Sequence, residues 1–133
     1  MNSTMRGMTF PAWRNDRDFV PLIELLLAVG PWTLGATSWS VSDSEFSTGR
    51  RGSAELARLA RSGARLSTLE LVDLASDGIQ VVDGEITCFR DATNEPFLVL
   101  ASIRGDSWDV YSAEPEVLGT ITRCFPGSVD VPL

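Results

Sequence analysis

Four carboxylates and one phenol in the C-terminal half of the chain are the side chains best suited to binding or chemistry: Asp83, Glu85, Asp106, Asp109 and Tyr111. Asp83 and Asp106 each adjoin a glycine, and such pairs between apolar runs are typical of hairpin turns. Two turns at the same end of an antiparallel meander bring their residues together. We therefore expect these acidic side chains to cluster at one rim of a sheet.

Three interpretations of such a rim remain open. Aspartate hydrogen-bonds its own backbone in turns, which explains Asp83 and Asp106 without any function. An acidic rim also speeds association with a basic protein surface and helps to select the partner. Carboxylates hold divalent cations or act as acid–base pairs in other proteins, but those uses need a defined loop or a cleft, which the sequence does not show.

The chain contains no histidine. Its absence removes the most frequent general base, the commonest metal ligand and the side chain that titrates near neutral pH. The serine hydroxyls therefore have no histidine to activate them as nucleophiles. We expect a protein that is not an enzyme, with no catalytic residue, no metal and no cofactor.

The net charge of −7 is unevenly distributed over the 133 residues. Residues 1–65 carry 8 arginines and 6 acids, whereas residues 66–133 carry 3 arginines and 12 acids. Binding of nucleic acid or of an anionic membrane needs basic side chains opposite the phosphate groups. The acidic half therefore predicts neither of these partners and favours a basic protein. The alternative is that the charge only keeps the domain soluble.

The polar segment 42–52, SDSEFSTGRRG, is predicted to be a mobile loop because it contains small polar residues and two glycines. Arg50 and Arg51 lie in this loop and offer guanidinium groups to an anion. The segment matches a phosphate-binding loop only in part, since no lysine precedes its serine or threonine. Binding of an anion or nucleotide by Arg50 and Arg51 is therefore the alternative site.

Four runs in the C-terminal half have the composition of strands: 79–82, 85–90, 97–103 and 107–112. The run 97–103, FLVLASI, is apolar at both alternating positions and is expected at the centre of the sheet. The run 107–112, SWDVYS, alternates between apolar and polar residues and is expected at an edge. The turns at Asp83 and Asp106 would join these strands into a meander.

Four segments are predicted to be helical: 19–29, 54–62, 68–76 and 114–125. Asp18 is placed to cap the first helix, and Gly30-Pro31 is expected to end it. Ser67 and Glu70 have the spacing of a capping box at the start of the third. We expect a flexible tail at residues 1–9 and one α+β domain at 10–133, an antiparallel β-meander of about four to five strands packed against three to four helices.

Cys88 and Cys124 lack the spacing of metal ligands, and both are expected to be buried thiols. The chain shows neither a signal peptide nor an apolar run of membrane-spanning length. A reducing, cytoplasmic location is the corresponding expectation.

The function that these features favour is a small non-enzymatic domain that binds another protein. An inhibitor or immunity-type protein that neutralises a basic partner, such as a toxin nuclease, is the leading hypothesis. One alternative is a ligand-binding or enzymatic domain that uses the loop 42–52. Another is a structural subunit, or a homo-oligomer, that assembles through the expected edge strand 107–112.

Overall fold

The computed structural model describes residues 5–42, 44–46 and 51–131, with Arg51 described by its backbone alone. The strands of this part are β1 (Arg6–Pro11), β2 (Trp13–Asn15), β3 (Asp18–Phe19), β4 (Thr37–Val41), β5 (Glu45–Phe46), β6 (Val81–Arg90), β7 (Glu95–Ile103), β8 (Ser107–Ser112) and β9 (Val129–Asp130). The helices are α1 (Leu22–Thr33), α2 (Arg51–Ser62), α3 (Thr68–Ala75) and α4 (Pro115–Cys124). The α+β class is confirmed, and the strands outnumber those expected.

Seven of the strands form one sheet in which every pair is antiparallel. Six of them follow the order β4-β6-β7-β8-β1-β9, and β5 pairs with the first residues of β6. The strands β6, β7 and β8 form a meander, with β7 near the centre as its apolar composition predicted. β2 and β3 form a separate two-stranded hairpin.

The side chains of a strand alternate between the two faces of its sheet, and here only one face is packed. Leu98 and Leu100 on β7, and Trp108 and Val110 on β8, are almost fully buried. They belong to one hydrophobic core that also contains inward-facing residues of all four helices. The helices therefore cover a single face of the sheet. We call the opposite face the open face.

Local signals placed three of the helices correctly. Helix α3 begins with the predicted capping box: the Glu70 amide donates to the Ser67 hydroxyl at 3.1 Å, and the Ser67 amide donates to the Glu70 carboxylate at 2.9 Å. Helices α2 and α4 lie where their patterns predicted and differ only at their ends.

The prediction for the first helix was wrong at both ends. Asp18 lies in the short strand β3, and the residue that precedes α1 is Pro21. The helix continues through Pro31 to Thr33. Pro31 has no N–H for the Leu27 carbonyl four residues earlier, but Leu27 is 64% exposed, so water can replace that hydrogen bond.

The predicted hairpin turn at Asp83 does not exist, because β6 runs through it as one strand of 10 residues. Gly84 uses its conformational freedom inside the strand, with φ of +154°, and a β-carbon there would lie 1.9 Å from the Ser44 hydroxyl. Val81 and Ile86 are both buried although they lie five positions apart. The regular alternation is therefore interrupted between them, as at a β-bulge.

Two expectations about the ends of the sheet were also wrong. The strand 107–112 is not an edge strand, because β8 lies between β7 and β1. Residues 6–9 do not belong to a flexible tail, since they form most of β1 and bury Met8 in the core. The N-terminal strand β1 pairs with the side of β8 that was expected to be free, and no local pattern around residue 107 reveals that pairing.

The two cysteines differ in environment. Cys88 on β6 is fully buried, and burial raises the pKa of its thiol to about 12. Cys124 at the end of α4 is exposed, so the expectation of two buried thiols was wrong for it. In the part of the chain that the structure describes, no helix is long and apolar enough to cross a membrane.

Substitution of Gly84 tests whether β6 is continuous. We expect Gly84→Ala to lower the free energy of unfolding by about 1–3 kcal/mol, because the new methyl group would meet Ser44 and φ would be strained.

Gly119→Ala is the matched control, since a β-carbon at this helical glycine would meet only the Arg123 side chain, at an ordinary 3.5 Å. We expect it to raise the free energy of unfolding by up to about 1 kcal/mol. Urea denaturation of both variants measures the difference. Equal effects of the two substitutions would contradict the geometry at Gly84.

Candidate functional site

The open face brings three of the predicted site residues together. Glu85 on β6 and Asp109 on β8 both pair with Ala101 of the intervening strand β7, so the three residues form one row across the sheet. At the usual spacing of strands, the Cα atoms of the two acids lie about 10 Å apart. Tyr111 follows Asp109 by two residues and points to the same face. The carboxylates flank a small residue, and the phenol stands beside one of them.

Tyr111 is held in place from two sides. Its hydroxyl donates to the Asp109 Oδ2 at 3.3 Å. Its ring covers Gly7, its partner on β1, so closely that a β-carbon on Gly7 would lie 2.6 Å from two ring carbons. Because Gly7 has no side chain, the ring lies flat on the backbone of β1. The phenol therefore has little rotational freedom left to lose on binding.

The electrostatic environment of this group is negative. Burial raises the pKa of the Tyr111 phenol, and the charges of Asp109 and Glu85 raise it further. Both effects disfavour the phenolate, because a charged group loses solvation on burial and is repelled by like charges. Tyr111 therefore stays a neutral hydrogen-bonding group well into the alkaline range.

The four predicted site acids form no ion pair among the described side chains. Ion pairs between the described side chains join Arg14 to Asp18 and Glu24, Arg58 to Glu55, and Arg90 to Glu114. None of them involves Asp83, Glu85, Asp106 or Asp109 in the part of the chain that the structure describes.

An arginine does approach the opposite end of the open face. The Arg65 guanidinium lies 3.8 Å from the centre of the Phe89 ring. It also donates to Ser38 at 3.0 Å and to Asn94 at 2.9 Å. Phe89 is four residues along β6 from Glu85, which corresponds to about 13 Å. The open face therefore carries one arginine at the end away from Glu85 and Asp109.

Asp83 lies beside this acidic end. It is exposed on β6, two residues before Glu85, and it pairs with Glu45 of the short strand β5. Two acids opposite each other on adjacent strands repel, and neither forms a described ion pair. Glu45 therefore adds a carboxylate that the sequence did not associate with the others.

Asp106 occupies the tip of the hairpin between β7 and β8, where a turn was predicted. Arg104 and Gly105 both have positive φ, and the Asp106 amide donates to the Ile103 carbonyl at 2.9 Å. The Asp106 carbonyl accepts from the Ala12 amide at 2.9 Å, which ties the tip to the N-terminal segment. Asp106 is exposed at this end and stands outside the row of Glu85 and Asp109.

The alternative site cannot be built from the described residues. Arg50 lies outside them, as do residues 43 and 47–49 of the expected loop 42–52. Of the remaining loop residues, Glu45 and Phe46 form β5, and Arg51 is the first residue of α2 with no described side chain. Among the residues that the structure describes, no group of three or more acids and cysteines has the arrangement of a metal site.

Sequence reasoning found the acids and the tyrosine but missed the residue that positions the tyrosine. Gly7 was assigned to a tail, whereas the structure places it under Tyr111. The available signal was the alternation of Met8 and Phe10 in RGMTFP, which is typical of a strand with one buried face.

Tyr111 is the only tyrosine of the chain, so its ionisation can be followed without interference. We expect an ultraviolet pH titration to give a phenol pKa above the ordinary value of about 10. Asp109→Asn and Glu85→Gln should each lower that pKa, because each removes a repelling charge. An unchanged midpoint in both variants would contradict the proximity of the three groups.

The same shift links stability to pH. The folded-state pKa lies above the unfolded one, so the contribution of Tyr111 to stability is complete below the unfolded pKa and is lost as the pH rises through the folded pKa. In Tyr111→Phe, the part of the alkaline loss of stability that comes from ionisation of this phenol should be absent. Urea denaturation at neutral and alkaline pH measures it.

Comparison of the chain with protein-family models, curated proteins and solved structures gives no match.

Proposed function

We propose that this protein is a non-enzymatic binding domain whose open face docks onto a basic surface of another protein, as an inhibitor or immunity-type protein does. The observation that carries the proposal is the row of Glu85 and Asp109 beside Tyr111, on a sheet face that no described helix covers. A toxin nuclease is the kind of partner that fits, because an enzyme that binds nucleic acid presents a basic surface.

The shape of the open face suits a protein partner. Small or β-branched residues occupy much of it, among them Thr9, Ser40, Thr87 and Val99. Such residues leave a broad platform over β4, β6, β7, β8 and β1, twisted as sheets are. Broad platforms favour contact with another folded surface, whereas small molecules bind in concave sites.

The area of the platform also bears on the proposal. Five strands of about six residues cover roughly 500 Å² at the usual strand spacing and rise. A stable complex buries about 800 Å² on each partner. The platform therefore supplies more than half of such an interface, and the partner must also contact a flank, such as the hairpin tip at Asp106.

Charge determines which partner fits. Glu85 and Asp109 would lose part of their hydration under a partner, at a cost that only an opposite charge repays. Arginine suits this role because its guanidinium pairs with carboxylates through two hydrogen bonds and stacks on aromatic rings. Tyr111 supplies the ring, and tyrosine is frequent among the residues that dominate binding energy.

A small-ligand function for Arg50 and Arg51 stays a prediction, since their side chains are not described. The strand 107–112 cannot pair with another chain as an edge strand, because both edges of β8 are already paired.

We expect substitutions on the open face to weaken the complex. Basic proteins encoded beside its gene are the first candidates, and retention from a cell lysate at low ionic strength identifies others. With the purified partner, Tyr111→Ala and Asp109→Asn should each lower the affinity by about tenfold or more. Titration calorimetry over a range of salt should show affinity falling as the Debye length shrinks from about 10 Å to about 3 Å.

The control matches the change in net charge. Glu85→Lys with Asp109→Lys reverses two charges on the open face, and Asp73→Lys with Glu116→Lys reverses two on helices α3 and α4. The first double variant should lose the partner and the second should keep it. Equal loss in both variants, or no partner at low ionic strength, would contradict docking through the open face.

A further inference from the structure

A cleft of about 450 Å³ lies between α4 and the outer strands β1 and β9. Its wall includes Arg6, Met8, Leu118, Gly119 and Asp130. Met8 belongs to the packed face of the sheet, so the cleft lies on the helical side, away from the open face. Its volume is within the range of about 300–1,000 Å³ that small-molecule sites occupy.

Opposite charges stand at this cleft. Asp130 pairs with Met8, so Arg6 and Asp130 are diagonal neighbours on adjacent strands. Neither side chain forms an ion pair or a hydrogen bond with the side chains that the structure describes. The hydroxyl of Ser112, opposite Arg6, is occupied, since it donates to the Phe97 carbonyl and accepts from the Glu114 amide. The cleft therefore offers one cation and one anion.

Most of the remaining wall is apolar; the hydroxyl of its one further polar residue, Thr122, donates to the Leu118 carbonyl. Met8, Pro115 and Leu118 supply hydrocarbon and thioether surface. An apolar group placed there would leave water, which favours binding in proportion to the area removed.

Gly119 keeps the cleft open. It lies inside α4, where glycine is less favourable than alanine. Packing does not require it, because a β-carbon there would meet only the Arg123 guanidinium, at an ordinary 3.5 Å. A larger side chain at this position would extend along the cleft wall and reduce the space.

We propose that this cleft binds a small zwitterion with an apolar side group, that is, a free apolar amino acid. The Arg6 guanidinium pairs with its carboxylate, the Asp130 carboxylate pairs with its ammonium group, and the side group packs against Met8 and Leu118. Both protein charges are then neutralised by one ligand, which a simple anion or a simple cation does not achieve. The site is independent of docking through the open face.

The test is a titration of the full chain with L-phenylalanine, followed by amide chemical shifts. We expect saturable shifts at β1, β9 and the second half of α4. Arg6→Gln and Asp130→Asn should each weaken binding about tenfold or more, because each leaves one ligand charge unpaired. N-acetyl-L-phenylalanine, which has no ammonium group, should bind about tenfold more weakly for the same reason.

Two variants of Gly119 complete the test. Gly119→Leu should abolish binding by filling the cleft, whereas Gly119→Ala should keep binding and raise the melting temperature. The proposal is overturned if L-phenylalanine gives no saturable shift in the cleft, if the acetylated probe binds equally well, or if Gly119→Leu leaves binding intact.

Discussion

The structure depends on the burial of one face of an antiparallel sheet. Leu98 and Leu100 on β7 alternate with residues that point away from the core, and Trp108 and Val110 on β8 do the same. Each buried side chain of this size contributes about 1.5–3 kcal/mol relative to an exposed one, so the apolar face must be covered. Four helices cover this apolar face, and the candidate site lies on the opposite, open face.

That division explains why the candidate site lies where it does. Carboxylates such as Glu85 and Asp109 remain charged at little cost only where water reaches them. The open face provides that access, and it also holds their positions, because the strands beneath are anchored in the core. Arg65 at the far end, in contact with Phe89 and Asn94, adds one positive charge to the same face. Rigid support of this kind is what a docking surface needs.

The features that could be predicted from the sequence are those that neighbouring residues decide. The capping box of Ser67 and Glu70, the turn before Asp106 and the apolar strand 97–103 all depend on a few adjacent residues. The failures came from distant contacts. Gly84, which follows Asp83, lies at a bulge inside β6 and packs against Ser44; it does not form a turn. Nothing in the sequence around Asp83 indicates the contact with Ser44. The acids of the site were identified by type, but their row depends on the register of β6, β7 and β8.

The different exposure of the two cysteines means that thiol labelling can report whether the sheet is open or closed. Cys124 lies in solvent, whereas the Cys88 thiol is enclosed by the core and holds its proton tightly. Alkylating reagents attack the thiolate, so the first thiol is modified in the native state and the second only after the sheet opens. The fraction of doubly labelled chains thus measures how many chains have opened during labelling, and no engineered cysteine is needed.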